Sequence, residues 1–469
     1  MNLLPWSSTA ISSNGSNSGS AERSNPPSST LPTQQHKLSE AQKRLYSLEK
    51  EENFRWIARL LSSPSTYTLS TTDLASSNLI SSLDELGQYA EIAHGSIDPH
   101  FVWRNLSKLV DVRYPLEGYD ALLGSELVSV FHGKVAGLQG YIAYRKITGS
   151  ADGGLRDSAF NTSNTGSDGE RSSGQLIVAF SGTSGPAQTL KDLDARLIAY
   201  PLDSKVTTQI IKEDEDEEEK GDRTGSSRIK SPTLDKHSDL TGATVHAGFW
   251  SIFTGLKDVV YEELSKAFNK YEVDELVLTG HSLGGTQAFL FAMELMKDQL
   301  RRPDPSSPST NATTSLVQTV SFPPNLMLKV ATFGCPRIGN DSLVNFYNSL
   351  TKKYKATHSF RDYAVKGYND GVHCLPPKAL GYRHIARSSS FYFYHGNLYK
   401  IPLSESEYSV FPVRLEPDSL PPEYPLGGHN YYNNRDMEKT QRYIKWLDIV
   451  RSGEKDWEDR YLLMRNKSS

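Results

Sequence analysis

Leu276–Gly285 reads L-V-L-T-G-H-S-L-G-G. Its apolar start suits a strand buried on both faces of a parallel sheet, and the residues that follow it suit a helix. Between them, the G-x-S-x-G pattern predicts a sharp turn, in which Gly280 and Gly284 let the backbones pass closely and Ser282 projects from the sheet. The free N–H groups and the dipole at the helix start favour negative charge. The stretch therefore predicts a serine nucleophile for acyl transfer, provided that suitable partners exist elsewhere in the chain.

The composition limits the class of protein. The chain has 469 residues with a hydrophobic share of 37%, and its polar residues are concentrated in blocks. Without those blocks about 300 residues remain, which fits one large α/β domain. The formal net charge of -4 shows no basic bias, so nucleic acid is not an expected partner. The sequence does not predict an oligomeric state.

The start of the chain and its cysteines bear on location. Cys335 and Cys374 are too few for a disulfide scaffold and are compatible with a reducing compartment. The first residues, M-N-L-L-P-W-S-S-T-A, lack the basic start and apolar stretch of a signal peptide, and no run of about 20 apolar residues predicts a transmembrane helix. We therefore expect a cytoplasmic protein. Peripheral contact with membranes or lipid droplets, and export by a route without a signal peptide, both remain open.

Changes in composition predict the domain organisation. Residues 1–37 are rich in Ser, Asn, Pro and Gly, which predicts a disordered tail. Residues 38–452 are expected to form a single domain with an N-terminal helix, and 453–469 a C-terminal tail. Polar insertions are expected near 148–174, 203–240 and 301–325. The second insertion carries the acidic run Glu213–Glu219, where like-charge repulsion predicts a solvated loop.

Hydrophobic periodicity predicts alternating strands and helices. Strands are predicted over 138–144, 175–180, 276–278 and 328–333. Helices are predicted over 38–61, 83–93, 189–200, 249–268, 286–300 and 342–350. The alternation indicates a mostly parallel sheet wrapped by helices. The first helix is expected to pack on the flank of the domain rather than to anchor a membrane, and the helix at 189–200 is either part of the core or a lid.

A serine nucleophile needs a base to take its proton and a third group to orient that base. In hydrolases built on this turn, the acid and then the histidine follow the serine along the chain. His429 lies in P-L-G-G-H-N-Y-Y-N, a glycine-rich loop before a helix, which is a usual place for a group that reaches into a site. His384 and His395 lie in aromatic, strand-like surroundings that are typical of structural histidines. We therefore predict His429 as the base.

The acid is predicted from turn chemistry. Asp370 lies in an Asn-Asp-Gly turn before L-P-P, which places a loop aspartate after a strand. Asp362 is the alternative, and we interpret it as a strand residue or a partner of Arg361. We therefore favour Asp370.

The oxyanion hole is predicted from two backbone N–H donors. One is expected from Leu283, directly after the serine, and the other from the loop S-G-T-S-G that follows the strand at 175–180. In that loop Thr183 adds a hydroxyl that can donate a further hydrogen bond. An ordinary turn is the other interpretation of this loop.

Eight stretches together resemble the class 3 lipases, the fungal triacylglycerol lipase family of α/β-hydrolases. They are L-D-E-L-G-Q-Y-A (83–90), G-Y-I-A-Y (140–144), V-A-F-S-G-T (178–183), V-H-A-G-F (245–249), G-H-S-L-G-G (280–285), F-G-C-P-R-I-G-N (333–340), N-D-G-V-H-C-L-P-P (369–377) and G-G-H-N-Y-Y-N (427–433). They follow the family's order from residue 83 to about residue 450. The resemblance is therefore far more specific than the serine motif alone.

The resemblance implies an α/β-hydrolase fold and a role for each predicted site residue. It implies Ser282 as nucleophile, Asp370 as orienting acid, His429 as base, and Thr183 with Leu283 as the oxyanion hole. It also makes 184–200 look like the family's lid. His246, His281 and Arg337 match motifs as scaffold residues.

The sequence departs from the family pattern at several positions. The family often has Arg where Ser181 stands, a tryptophan near Thr189 and a proline where His373 stands. It also has small residues where Thr286 and Gln287 follow the serine turn. These differences concern lid anchoring and helix packing, and every catalytic position is retained.

The expected function is hydrolysis of carboxylic ester bonds of acylglycerols, with a lipid ester as partner at a lipid–water interface and with no metal or organic cofactor. A phospholipase, a monoacylglycerol lipase or a non-lipid esterase of the same fold remains open, because the shape of the acyl pocket is not visible in sequence. A catalytically inactive binding or scaffold protein is the alternative from another class.

Overall fold

The computed structural model describes residues 37–95, 97–135, 138–148, 172–182, 194–204, 206–208, 240, 242–302, 320, 322–323, 325–415, 422–451 and 455–468. Leu38–Ser469 form one compact unit. The predicted tail at 1–37, apart from its last residue, lies outside the described residues, as do most of the three polar insertions and the acidic run Glu213–Glu219. Among the described helices, none has the length and apolar character needed to cross a membrane.

The strands of the described residues form one main sheet and two small two-stranded sheets. They are β1 (Ser125–His132), β2 (Gln139–Thr148), β3 (Ser172–Phe180), β4 (Leu197–Ala199), β5 (Thr244–His246), β6 (Glu275–His281), β7 (Met327–Phe333), β8 (Ser359–Gly367), β9 (Ser390–Tyr394), β10 (Asn397–Lys400), β11 (Tyr431–Tyr432) and β12 (Arg435–Asp436). The main sheet has the order β1-β2-β3-β6-β7-β8-β9-β10. Strands β3, β6, β7, β8 and β9 are parallel, and the outer strands are antiparallel. The predicted mostly parallel sheet is confirmed.

Helices cover both faces of this sheet. They are α1 (Glu40–Ser47), α2 (Arg55–Leu61), α3 (Ser77–His94), α4 (Pro99–Arg104), α5 (Leu106–Leu109), α6 (Ala247–Lys270), α7 (Leu283–Arg301), α8 (Asp341–Lys355), α9 (Met437–Val450) and α10 (Trp457–Ser468). Because side chains alternate along a strand, Leu276 and Leu278 of β6 join the core beneath α6, α7 and α8, and Val277 joins the core beneath α3 and α9. The expected burial of this strand on both faces is confirmed.

Three segments differ from the expectations. The helix predicted over 38–61 is two helices, since α1 ends at Ser47 and α2 begins only after Phe54, whose left-handed backbone has φ 58°. The described part of the helix predicted over 189–200 is extended, because β4 pairs with β5. The segment 453–469, expected as a tail, carries α10, which buries Trp457 and Tyr461.

Candidate active site

The serine turn lies between β6 and α7. Ser282 has φ 59° and ψ -128°, a backbone conformation that L-residues rarely adopt and that costs about 1–3 kcal/mol. Its N–H donates to the carbonyl of Phe333 at the end of β7, at 2.8 Å. Leu283 begins α7, so its N–H belongs to the first helical turn, where the amides have no intrahelical acceptor. The predicted turn geometry is present.

The two glycines of the turn are required by space. A Cβ on Gly280 would overlap the carbonyl carbon of Gly284, and a Cβ on Gly284 would overlap the carbonyl oxygen of Phe180. Phe180 ends β3, the strand that precedes the predicted oxyanion loop. The absence of side chains therefore lets the serine turn pack directly on the end of that strand.

Asp370 and His429 form a buried pair. Nδ1 of His429 lies 2.9 Å from Oδ2 of Asp370, and both side chains are fully buried. The hydroxyl of Tyr432 donates to the same oxygen at 2.6 Å, and the N–H of Val372 donates to Oδ1 at 2.7 Å. Burial alone would raise the pKa of Asp370, but His429 and His373 outweigh it and hold that pKa well below its ordinary value. The carboxylate is therefore ionised and fixed in orientation.

The pair and the serine meet around the end of β7. Gly334, next to the carbonyl that binds the serine N–H, has φ 61°. A Cβ there would lie 2.8 Å from Oδ2 of Asp370 and 2.9 Å from Cε1 of His429. Oγ of Ser282 and Nε2 of His429 are both buried without a hydrogen-bond partner among the described residues. The structure thus brings these three side chains to one edge of the sheet, with the serine hydroxyl and the imidazole not hydrogen-bonded to each other.

Two further histidines support the base. Nε2 of His281 lies 2.9 Å from the carbonyl of His429, and their ring centroids are 4.3 Å apart. His94, from the end of α3, packs edge-on against His281 at 4.9 Å. Burial, with the nearby His429, lowers the pKa of His94 to about 3 and that of His281 well below its ordinary value. These two rings are therefore neutral, in agreement with the scaffold role expected for His281.

The N-terminal segment braces both loops of the site. The carbonyl of Asn53 accepts the N–H of His429 at 2.9 Å, and its side chain accepts the N–H of Asn430 at 3.3 Å. A Cβ on Gly371 would overlap the carbonyl oxygen of Phe54. The Phe54 ring packs edge-on against the His429 ring at 5.4 Å. The segment between α1 and α2 thus holds the backbone of the His429 loop through Asn53 and contacts the imidazole through Phe54.

The other residues considered as acid or base lie elsewhere in the fold. Asp362 lies within β8 and accepts hydrogen bonds from Tyr347 and Ser389, so the structure brings Asp370 and not Asp362 to His429. His384 donates its backbone N–H to Glu407 and lies away from the serine turn. His395 lies in the turn between β9 and β10.

Two motif residues have structural partners. Nδ1 of His246 caps the start of α6 by accepting the N–H of Phe249 at 3.3 Å. Arg337 donates to Glu407 and to the carbonyl of Cys374. Thr183 and 184–193 of the expected lid lie outside the described residues.

Sequence reasoning missed Tyr432, Val372 and Phe54. Tyr432 lies three residues after His429 in the quoted stretch G-G-H-N-Y-Y-N, and Val372 lies two after Asp370. Each is therefore close in sequence to a predicted residue, and a search for donors to the acid around both loops would have found them. No local sequence signal points to Phe54, because Phe54 and His429 are far apart in the sequence and meet only in the fold.

Residues 177–366 match the family model described as Lipase (class 3). Over this segment the chain is therefore similar to the class 3 lipases. The family match, together with the serine turn and the parallel sheet, identifies the fold as the predicted α/β-hydrolase fold. The predicted resemblance to this family is confirmed over these residues.

Relatives and solved structures extend the comparison. The chain is 29% identical over 177 residues to a secreted mono- and diacylglycerol lipase 1 of Fusarium solani, covering 38% of this chain and 40% of that protein. It is 26% identical over 145 residues to a secreted mono- and diacylglycerol lipase A of Penicillium cyclopium, covering 31% of this chain and 36% of that protein. The matches thus span about 40% of the length of these relatives. The crystal structure of the lipase from Rhizopus microsporus var. chinensis aligns with a TM-score of 0.44 and 16% identity, over 80% of this chain and 97% of that one.

The comparison corrects the expected location. A cytoplasmic protein was predicted from the chain start and from two cysteines, and the relatives named as secreted lipases contradict that prediction. Both cysteines are free and buried. A core of this size does not depend on disulfides for stability, so a low cysteine content does not identify a reducing compartment.

Proposed function

We propose that the protein is a serine hydrolase that cleaves carboxylic ester bonds of acylglycerol lipids. The observation that carries the proposal is the buried hydrogen bond between Asp370 and His429 beside Ser282, whose hydroxyl has no partner among the described residues. The family match supports a carboxylic ester hydrolase. The relatives' names, mono- and diacylglycerol lipase, support a partial or full acylglycerol as substrate.

In the proposed mechanism, Oγ of Ser282 attacks the acyl carbonyl carbon while Nε2 of His429 takes the hydroxyl proton. The carboxylate of Asp370 accepts the Nδ1–H bond and stabilises the imidazolium that forms. The negative charge on the carbonyl oxygen is stabilised by the N–H of Leu283 at the start of α7 and by a second donor from the loop that contains Thr183.

Collapse of this intermediate breaks the ester C–O bond, and the glycerol oxygen leaves with the proton from His429. Water then attacks the acyl-serine, giving its proton to His429. The fatty acid is released, and the proton returns to Ser282. Ser282 and His429 have two neighbours in common. His281 precedes the serine and packs on the imidazole, and Gly334 follows the residue that binds the serine N–H and lies against the imidazole. The hydrogen bond between Oγ of Ser282 and Nε2 of His429 is expected to form with substrate present, as catalytic hydrogen bonds commonly tighten only in the complex.

The test compares purified protein with its Ser282→Ala variant on tri-, di- and monoacylglycerols, phospholipids and a short-chain ester. We expect acylglycerol hydrolysis to fall on the order of 10⁶-fold in the variant. Ser390→Ala is the matched control, because Ser390 is also fully buried and its hydroxyl donates to the carbonyl of Ala386, away from the site. Equal rates for the parent and Ser282→Ala would contradict the proposal.

A fluorophosphonate probe separates the enzyme from an inactive scaffold. Such probes react with a serine whose hydroxyl is activated by a base. We expect labelling of the parent and of Ser390→Ala, and none of Ser282→Ala. A parent protein that is folded but is not labelled, and that hydrolyses none of the panel, would support the scaffold alternative instead.

A further inference from the structure

His373 is a buried imidazole next to the proposed acid. Its side chain is 1% exposed, and its Nδ1 lies 3.8 Å from Oδ2 of Asp370. That oxygen also accepts hydrogen bonds from His429 and Tyr432. Two imidazoles therefore lie near the same oxygen of Asp370, that of His429 at hydrogen-bond distance and that of His373 at 3.8 Å.

The ring of His373 has no hydrogen bond that explains its burial. Both of its nitrogens lack a hydrogen-bond partner among the described residues. Burying a polar group without partners is costly, so such groups are normally satisfied or serve a role. The contact that the ring makes with a charged group is the ion-pair contact with Asp370. We therefore look for its role in the charge of that carboxylate.

The groups around His373 decide its charge. Cys374 is its neighbour on the short turn Val372–Cys374, and the His384 ring lies 6.4 Å away. Beyond His384 lie the charged groups of Lys366, Arg337, Arg387 and Glu407. Burial acts to lower the pKa of His373, but Cys374 and Asp370 outweigh it and raise that pKa to about 9. The anionic forms of Cys374 and Asp370 therefore favour the protonated form of the His373 ring.

We propose that His373 is a positioning residue for the active site, which acts as a second imidazole partner of Asp370 and sets the pH range in which His429 serves as the base. The inference rests on the proposed function. The carboxylate of Asp370 stabilises the protonated form of His429. A positive charge on His373 would partly offset this stabilisation.

The test is the pH profile of kcat/KM for the parent, His373→Gln and His373→Pro. Without the cation, the full carboxylate charge acts on His429, so we expect the acidic limb to move to higher pH by about one unit in both variants. The control is His384→Gln, which removes another buried imidazole, one that makes no ion pair with Asp370 in the described contacts. The acidic limb of this control should not move. A uniform loss of activity across the pH range, with an unmoved limb, would overturn the inference and leave His373 a packing role.

A second measurement does not depend on activity. Nitrogen-15 NMR of ring-labelled histidines, assigned by the signals lost in His373→Gln, reports whether the His373 ring is an imidazolium at neutral pH. We expect the imidazolium in the parent and in Ser282→Ala alike, and a neutral ring would overturn the inference. If no ester is hydrolysed and the NMR shows the imidazolium, the proposed function fails while the charge on His373 stands.

Discussion

The hydroxyl of Tyr432 donates a hydrogen bond of 2.6 Å to Oδ2 of Asp370. The same hydroxyl accepts the N–H of Gly367 at 2.7 Å, at the end of β8. Tyr432 therefore ties the proposed acid to the strand that precedes it. Because the ring is fully buried, the acid is held without help from solvent.

Removing this hydroxyl tests whether orientation of the acid matters. In Tyr432→Phe the carboxylate loses a charge-assisted bond, and the N–H of Gly367 loses its acceptor. We expect kcat to fall about tenfold, equivalent to about 1.4 kcal/mol. We also expect the free energy of unfolding to fall by about 1–3 kcal/mol. Steady-state kinetics and urea unfolding measure the two effects.

Tyr141→Phe is the matched control for that change. Tyr141 is also fully buried, and its hydroxyl donates to the carbonyl of Tyr89 at 2.7 Å. This control should lose stability but keep the parent kcat. If both variants lower kcat equally, the effect belongs to stability and not to the acid.

The sequence predicted those parts of the fold that depend on local pattern. The buried run Leu276–Leu278 and the glycines around Ser282 indicate a strand, a turn and a helix directly, and the structure has all three. His429 and Asp370 were chosen from loop chemistry, and the structure brings both to the serine turn. Their catalytic roles remain predictions.

The errors arise where distant segments decide the outcome. The spacing of apolar residues in 194–200 fits a helix, but strand pairing with Thr244–His246 overrides it. The break at Phe54 has a similar origin, since its left-handed backbone places the ring against His429, 375 positions later. Periodicity within one segment carries no information about such partners.

The ring of Phe54 is expected to contribute to both stability and catalysis. It is 1% exposed, packs with Ile57 and Val372, and lies edge-on against His429. Phe54→Ala should lower the free energy of unfolding by about 3–5 kcal/mol. Since the imidazole loses one wall, we also expect a lower kcat for the folded protein, measured at a temperature where the variant remains native.

Phe411→Ala separates these two effects. Phe411 is 4% exposed and packs in a different cluster, with Leu69, Tyr392, Tyr399 and Ile401. Its loss should cost similar stability and leave kcat at the parent value. A kcat for Phe54→Ala that equals the kcat of this control would show that the contact with His429 does not contribute to catalysis.

Lys366 predicts how stability depends on pH. This lysine of β8 is 3% exposed, and its ammonium donates to the carbonyls of Ser406 and Tyr408. Burial lowers the pKa of Lys366 to about 7, whereas an unfolded lysine has a pKa of about 10.4. Between these values the unfolded chain binds more protons than the native protein, so stability rises with pH across this window. Below the window both states are protonated, and the contribution is constant.

Lys366→Met removes this titration, so the comparison isolates it from all other groups. We expect the free energy of unfolding of the parent, relative to the variant, to increase between about pH 7 and pH 10 by up to about 1.4 kcal/mol per unit, and to stay level at lower pH. Urea unfolding of both proteins at matched ionic strength over this range gives the difference directly. A difference that does not change with pH would mean that Lys366 keeps its proton in the folded protein, held by the two carbonyls strongly enough to cancel the effect of burial.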